Sequence, residues 1–272
     1  MKSKSLNINR LGDLVYITFP KLEACGAVRH AFSTRLGGVS EGQFATMNLS
    51  FRNGDERANV EENYRRLCSA VGIDTSHLVL SRQTHTSNVI TVTRADCGTG
   101  YNKPSFEDVD GLVTKDSGVA MVTQYADCTP LLFCDPVKRV AATSHAGWRG
   151  TVGLIGQVTV EKMVAEFGCR REDIIAAIGP CIGQCCYEVD DPVYDKLSRL
   201  SISLDGAVIS KGDGHYMLNL AEVNRRILVM SGIREDNIDV SDLCTCCNAA
   251  ELHSHRATAG KRGNLAAVIE LV

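Results

Sequence analysis

The sequence predicts a mixed α/β (α+β) fold with several β-sheets. Short apolar runs rich in β-branched residues recur along the chain and are bounded by Gly, Pro or Asp, which is typical of strands. Segments with helical periodicity lie between some of these runs. No internal repeat and no Pro-, Gly- or Ser-rich linker interrupts the pattern. We therefore expect one domain over residues 1–272, a size that a single core can support.

Seven apolar runs predict strands, at residues 15–18, 27–33, 88–93, 111–114, 119–123, 131–134 and 139–144. Three segments have helical periodicity and end beside a glycine, which predicts helices at residues 60–70, 151–167 and 218–230. Residues 97–107 resemble a loop, and residues 201–216 a hairpin.

Charge and hydropathy exclude several functional classes. The 29 basic and 32 acidic residues give a net charge of −3, which offers no footprint for nucleic acid or an anionic membrane. No apolar run reaches the 18 residues that suggest a membrane span. Residues 1–20 carry two lysines but no apolar stretch of the kind found in signal peptides. We therefore expect a cytoplasmic protein.

Twelve cysteines are the unusual feature of the composition. In a reducing cytosol they stay thiols, which serve as small core hydrophobes, metal ligands or nucleophiles. Two runs concentrate them, C-I-G-Q-C-C at residues 181–186 and C-T-C-C at residues 244–247. We interpret C-x-x-x-C-C and C-x-C-C as different from the C-x-x-C pairs of zinc ribbons. Buried thiols are therefore the expectation for both runs.

Three segments place a metal-type ligand next to a predicted strand: His85, Cys128 and His145. Side chains at strand ends can converge in a folded sheet, and imidazole and thiolate are ligands that Zn²⁺ prefers. Two His and one Cys leave the fourth tetrahedral position open, as in catalytic zinc sites. A nucleophilic Cys128 with His145 as its base is the competing interpretation, as are ordinary structural roles. Metal content distinguishes them.

The segment after His145 also suggests an anion site. The predicted strand turns through Gly147 and Gly150 into a predicted helix, whose first N–H groups favour an anion, and Arg149 adds a positive charge. The competing interpretation is a tight turn whose Trp148 packs into the core. Phosphate-loop, dinucleotide and nucleophile-elbow motifs are absent, and so is the H-x-E of zinc deaminases.

Five motifs together resemble the laccase-domain, or YfiH-like, multicopper polyphenol oxidase family, which is linked to purine nucleoside phosphorylase activity. They are S-T-R with G-G-V-S and M-N-L at residues 33–49, Q-T-H at 83–85, A-D-C-T-P at 126–130, H-A-G-W-R-G at 145–150, and G-P-C-I-G with Y-E-V at 179–189. Their order and the H-A-G-W-R-G string make the resemblance specific, and it covers most of the chain.

The resemblance implies layered mixed sheets flanked by helices, and a zinc ion held by His85, Cys128 and His145. It implies phosphorolysis of adenosine, inosine, guanosine or methylthioadenosine, together with adenosine deamination. The older family label implies a copper-dependent polyphenol oxidase, with copper as the alternative metal. We favour zinc because such copper sites need several histidines and the whole chain has seven.

Phosphorolysis requires phosphate close to the sugar and stabilisation of the departing purine. We predict that Arg35, Arg149 and Arg256 hold phosphate or substrate, and that Asn48 hydrogen-bonds sugar or base. Asp127 is predicted to orient the site or accept a proton. Residues 252–256, L-H-S-H-R, differ from the family's aromatic-Ser-aromatic-Arg pattern, which leaves the preferred nucleoside open. A thiol hydrolase that edits peptidoglycan precursors and a non-catalytic metal-binding protein are the competing functions.

Overall fold

Fifteen strands and seven α-helices make up the chain in a computed structural model that describes residues 1–272. The strands are β1 (Asn7–Leu11), β2 (Leu14–Thr18), β3 (Val28–Ser33), β4 (Leu78–Leu80), β5 (Val89–Thr91), β6 (Gly111–Thr114), β7 (Ala120–Tyr125), β8 (Thr129–Asp135), β9 (Val140–Ala146), β10 (Ile175–Ile178), β11 (Glu188–Asp190), β12 (Val208–Gly212), β13 (His215–Leu218), β14 (Ile238–Val240) and β15 (Leu265–Leu271). The helices are α1 (Pro20–Cys25), α2 (Arg57–Ala70), α3 (Trp148–Val152), α4 (Ile155–Phe167), α5 (Asp191–Leu197), α6 (Leu220–Met230) and α7 (His255–Thr258).

Two six-stranded mixed sheets and one small sheet carry the strands. The first sheet has the order β1-β2-β3-β15-β7-β4, and the second has the order β14-β10-β8-β9-β6-β5. The third sheet, β11-β13-β12, is antiparallel. The predicted mixed α/β class is confirmed, whereas the assignment of residues 1–272 to one domain stays a prediction.

The two large sheets pack face to face and are covered by helices on their outer faces. Strand β15 shows why: Leu265, Ala267 and Ile269 enter the core between the sheets, whereas Ala266 and Val268 pack beneath α2. Alternate residues of a strand point to opposite faces, so a strand buried on both sides is mostly apolar, and in β15 only Glu270 departs from this pattern. Helices α4 and α6 cover the second sheet in the same way. None of the helices is both long and apolar enough to cross a membrane.

All seven predicted strands lie within one or two residues of observed ones. The single helix predicted at residues 151–167 is wrong, because two helices, α3 and α4, cover this region. Leu154 separates them with a left-handed backbone, φ 58°, which an α-helix cannot include. Several terminal or short strands went unpredicted, β15 among them.

One histidine in the core makes stability depend on pH. His30 on β3 is 4% exposed, and its Nε2 accepts a hydrogen bond from the Phe19 backbone N–H at 2.9 Å. Burial lowers the pKa of His30 from 6.5 to about 4. Between these values the unfolded chain binds a proton that the folded chain excludes, so the free energy of unfolding decreases as pH falls from 6.5 toward 4.

We expect His30→Gln, which retains an acceptor for the Phe19 N–H, to remove this contribution. The wild-type protein should lose about 3 kcal/mol more than the variant between about pH 7 and about pH 4, since each pKa unit corresponds to about 1.4 kcal/mol. Urea unfolding at several pH values measures the difference. Parallel pH profiles for the two proteins would contradict the assignment.

Candidate metal centre and active site

Three predicted ligands, distant in sequence, converge at one edge of the two large sheets. His85 lies in the loop between β4 and β5, Cys128 in the turn between β7 and β8, and His145 in β9. Because β8 pairs with β9 with Pro130 opposite His145, the turn before β8 lies beside the end of β9. The ligand atoms all lie within 4.8 Å of one another, and His85 Nε2 is 3.8 Å from Cys128 Sγ.

A buried carboxylate, Asp110, orients two of these ligands. Its Oδ1 accepts hydrogen bonds from His145 Nδ1 at 2.8 Å and from the His85 backbone N–H at 3.1 Å. Its Oδ2 accepts the backbone N–H groups of Thr84 and Thr86 at 3.1 and 2.9 Å. These bonds hold His85 in a left-handed conformation, φ 67°. A carboxylate behind a metal-binding imidazole fixes the ring orientation and leaves the other nitrogen free for the metal.

The residues around the three ligands fit a metal ion. A tetrahedral zinc ion with ordinary bond lengths separates a His nitrogen from a Cys sulfur by about 3.5 Å, close to the observed spacing. Gly147 supplies the room: a Cβ atom there would lie 2.8 Å from His85 Cδ2 and 3.1 Å from Cys128 Sγ. A side chain at this position would therefore force His85 or Cys128 to move from the observed arrangement.

The electrostatics of the trio favour a thiolate. Burial alone would raise the pKa of Cys128, but the adjacent His145 and His85 lower it to about 6. Burial likewise opposes protonation of His145, yet the Cys128 thiolate and Asp110 raise its pKa. Hydrogen bonds from His145 and the loop backbone hold the pKa of Asp110 below its usual value despite burial. Thiolate is the form that binds metal or attacks a substrate.

Two cavities meet at this trio. The first, of about 300 Å³, has an aromatic and apolar wall and three arginines; its lining residues include Trp148, Ile182, Tyr187, Leu220, His255, Arg149, Arg256 and Arg262. The second, of about 280 Å³, is mainly polar; its lining includes Ser50, Arg52, Asn53, Gln83, Gln124, Arg262 and Asn264. His85, Ala126, Cys128 and Arg262 line both. Such sizes fit small-molecule sites.

The structure places the predicted arginines differently. Arg149 and Arg256 line the first cavity, with the Arg149 guanidinium 4.2 Å above the Trp148 ring. Arg35 lines neither cavity: its Nε and Nη1 atoms donate to the carbonyls of Ala45 and Ala249. The geometry therefore gives Arg35 a loop-bracing position.

Asn48 and Asp127 are both held by backbone and side-chain hydrogen bonds. Asn48 is fully buried behind the cavity wall, where its Oδ1 accepts the backbone N–H of Asn264 at 2.9 Å. Asp127 lines the first cavity with φ 90°, and its two oxygens accept the Thr245 hydroxyl at 2.6 Å and the Arg256 backbone N–H at 2.7 Å. With both oxygens occupied, Asp127 suits an orienting role better than proton transfer.

The helix N-terminus predicted after His145 contributes little to anion binding. Helix α3 spans only Trp148–Val152, too short to develop a strong dipole, so the positive charge comes from Arg149 itself. Trp148 is half-buried and lines the cavity while also packing against the third sheet's apolar cluster. Both interpretations of that tryptophan therefore hold in part.

Sequence reasoning missed Asp110, His255 and Arg262. Asp110 had a visible signal, because an acidic residue inside the run V-D-G-L-V needs partners if that run is buried. His255 and Arg262 had none, since His255 begins the short helix α7 and Arg262 lies in the loop that follows it. The position of both depends on contacts with distant parts of the chain, such as the bond from the Arg256 N–H to Asp127.

Comparison with known proteins bears on this site. A family described as multi-copper polyphenol oxidoreductase laccase matches residues 29–272. The chain belongs to this family. It is 37% identical over 240 residues to a Bacillus subtilis protein named purine nucleoside phosphorylase YlmD, covering 88% of this chain and 86% of that one.

Two further similarities agree with this membership. A protein of an unknown prokaryotic organism named adenosine deaminase RL5 is 33% identical, over 89% of this chain and 91% of its own. The crystal structure of Bacillus licheniformis hypothetical protein YfiH superposes with a TM-score of 0.92 at 33% identity, covering 99% of this chain and all of that one. The resemblance predicted from the motifs is thus confirmed, and the Bacillus subtilis relative and RL5 bear the names of enzymes.

Proposed function

We propose that this protein is a zinc-dependent purine nucleoside phosphorylase that also deaminates adenosine. The observation that carries the proposal is the junction of the two cavities at His85 and Cys128, with an aromatic wall on one side and a polar wall on the other. Two relatives support it, since one is named a purine nucleoside phosphorylase and the other an adenosine deaminase. Adenosine, inosine, guanosine and methylthioadenosine are the proposed substrates.

The reaction transfers ribose from a purine to phosphate. The bond between C1′ and the purine N9 breaks, its electron pair stays with the purine, and a phosphate oxygen bonds to C1′. The purine therefore gains negative charge while the ribose becomes positive. Residues that contact the purine must stabilise or protonate it, and cationic residues must hold phosphate beside the sugar.

The first cavity suits the purine. The rings of Trp148 and Tyr187, together with Ile182 and Leu220, offer apolar surfaces for a flat heterocycle. His255 is the imidazole in this wall outside the three metal-type ligands, and we assign it the donation of a proton to the leaving base. Asp127 fixes the backbone at Arg256 and so positions the helix that carries His255.

Arg262 suits the phosphate because it lies where the cavities meet. Its side chain is largely buried, and burial lowers its pKa while the nearby Asp127 and Cys128 oppose that change. Its Nε is buried without a partner, leaving a donor unused. Arg149 and Arg256 line the first cavity together with Arg262 and add positive charge to it. A phosphate bound beside Arg262 would satisfy the free donor and be attracted by the guanidinium groups of this cavity.

His85, Cys128 and His145 would hold the zinc ion. A bound zinc ion supplies Lewis acidity and, for deamination, an activated water. Asp110 keeps His145 oriented toward that position, and Gly147 keeps the position open.

A thiol hydrolase is the second candidate, since Cys128, His145 and Asp110 form the sequence of groups found in cysteine-histidine-aspartate triads. The second imidazole near Cys128, that of His85, favours metal binding because a triad has no use for it. A copper oxidase is supported by the family description alone: the lining of the two cavities contains no methionine for an axial ligand and only His85, His145 and His255 as imidazoles.

The direct test is product analysis with adenosine, with and without phosphate. We expect adenine and ribose 1-phosphate to form only with phosphate, and inosine and ammonia to form in both conditions. A thiol hydrolase would leave adenosine unchanged, and a nucleoside hydrolase would release free ribose without phosphate. Either result would reject the proposal.

Arg262→Gln is expected to raise KM for phosphate about tenfold or more, since one charge-assisted hydrogen bond to a phosphate contributes about 1.5–3 kcal/mol. KM for inosine should change much less. Arg170→Gln is the matched control, because Arg170 is exposed and lines neither cavity. Equal changes in the two KM values would show that Arg262 maintains the structure of the site and does not bind phosphate specifically.

A further inference from the structure

Four cysteines lie together beside the first cavity, outside the trio of His85, Cys128 and His145. Two come from the turn between β10 and β11 and two from the loop between β14 and α7; this four-cysteine cluster consists of Cys185, Cys186, Cys244 and Cys247. The expectation of buried thiols is wrong for Cys185 and Cys247, which are exposed. The interpretation of C-T-C-C as different from the zinc-ribbon pattern is also wrong in part, because Cys244 and Cys247 form a C-x-x-C pair within it.

We propose that the four-cysteine cluster is a second, structural zinc site. Four thiolates are a donor set that suits zinc and completes its tetrahedral shell without an open position. It shares no ligand with the trio and would have a different role.

The sulfur spacing carries the proposal. All four sulfur atoms lie within 4.8 Å of one another, and Cys247 Sγ is 3.4 Å from both Cys185 Sγ and Cys186 Sγ. A tetrahedral zinc with Zn–S bonds of about 2.3 Å separates its sulfur ligands by about 3.8 Å. A disulfide joins only two sulfurs, so Cys247 could bond to one neighbour and would leave the other thiol beside it. A central cation uses all four.

The surrounding backbone supports a ligand role for Cys244. Its sulfur accepts the backbone N–H groups of Gly183 at 3.1 Å and of Cys247 at 3.5 Å. N–H groups directed at a sulfur stabilise thiolate, the form that binds metal. Gly183 favours this approach, because a Cβ atom there would lie 3.0 Å from Cys244 Cβ and 3.3 Å from the sulfurs of both Cys185 and Cys244, so that these groups would have to shift.

The position of the cluster indicates a structural role for the metal, because the cluster joins two loops. Its two loops are far apart in sequence, yet both shape the first cavity. The first loop contributes Ile182 and Tyr187, and the second carries Thr245, whose hydroxyl binds Asp127. Arg256 also donates to the Cys186 carbonyl at 3.1 Å. A zinc ion that joins the loops would fix the substrate wall, much as a cross-link closes a long loop.

Zinc content of the intact protein, produced with zinc and purified under reducing conditions without chelator, tests the proposal. We expect two zinc ions per chain in the wild-type protein, one in Cys128→Ser and one in Cys247→Ser. Cys246→Ser is the matched control, a half-buried neighbour outside the cluster, and should retain two. One ion in the wild-type protein that is lost completely in Cys128→Ser would overturn the proposal.

Cobalt provides a second readout that does not depend on the folding of Cys247→Ser. Co²⁺ added to metal-stripped Cys128→Ser should bind at one equivalent and give the intense visible bands of tetrahedral thiolate coordination. Chelator should also lower the Tm of zinc-loaded Cys128→Ser. An absent cobalt spectrum, an intramolecular disulfide under reducing conditions, or an iron–sulfur absorption spectrum would each reject the zinc site.

Discussion

Cys128→Ser is expected to remove the metal from the trio and reduce kcat/KM for inosine phosphorolysis about a thousandfold. Thiolate is the anionic ligand of the set, and a serine hydroxyl replaces it poorly. A catalytic metal contributes several kcal/mol to transition-state stabilisation, and each increment of about 1.4 kcal/mol corresponds to tenfold in rate. Elemental analysis and initial rates measure the two effects on the same sample.

The control for Cys128→Ser is Cys246→Ser, which changes a thiol in neither group of candidate ligands. It should retain metal and activity within about twofold, as is usual for substitutions away from a functional feature. Full activity in metal-free Cys128→Ser would contradict the role of the trio. Loss of activity with the metal retained would instead favour a nucleophilic thiol.

Asp110→Asn is expected to weaken zinc binding about 10–100-fold, the usual range for loss of an outer-shell partner. The amide cannot accept hydrogen bonds through both atoms, so either His145 or the loop carrying His85 loses an acceptor. Activity should recover at high zinc concentration, because the three ligands remain. Zinc titration with activity and metal occupancy as parallel readouts measures this rescue.

Asp108→Asn is the matched control. Asp108 is exposed, accepts the Thr84 hydroxyl at 2.9 Å and does not contact either ligand imidazole. Its φ of 56° suits asparagine, so the fold should tolerate the change. Equal loss of zinc affinity in the two variants would show that the loop conformation matters more than the His145 hydrogen bond.

Local patterns predicted much of the fold. Continuous apolar runs such as residues 131–134 of β8 have a strong signal, because burial on both faces of a sheet favours apolar residues at successive positions. Strand order had no signal, since β15 near the C-terminus pairs with β3 near the N-terminus and with β7 in the middle of the chain, contacts that no local pattern describes. The break at Leu154 also escaped prediction, because a residue other than glycine is rarely left-handed.

The metal ligands of the site could be predicted, because their side-chain chemistry alone indicates their role. Imidazole and thiolate at His85, Cys128 and His145 suggested a metal, and the structure brings them together. The arginines show the limit: Arg35 and Arg256 have the same side chain, but their distances from the cavity depend on loops that no periodicity describes. The four-cysteine cluster could not be predicted for the same reason, since its two halves meet only through tertiary folding.

Metal-dependent phosphorolysis is tested most directly by reloading metal-stripped protein and assaying inosine with phosphate. Stripping should abolish formation of hypoxanthine and ribose 1-phosphate, and zinc should restore it in proportion to occupancy of the trio. Copper should not restore it. An unchanged rate in the stripped protein, or hypoxanthine accompanied by free ribose, would contradict the proposed function.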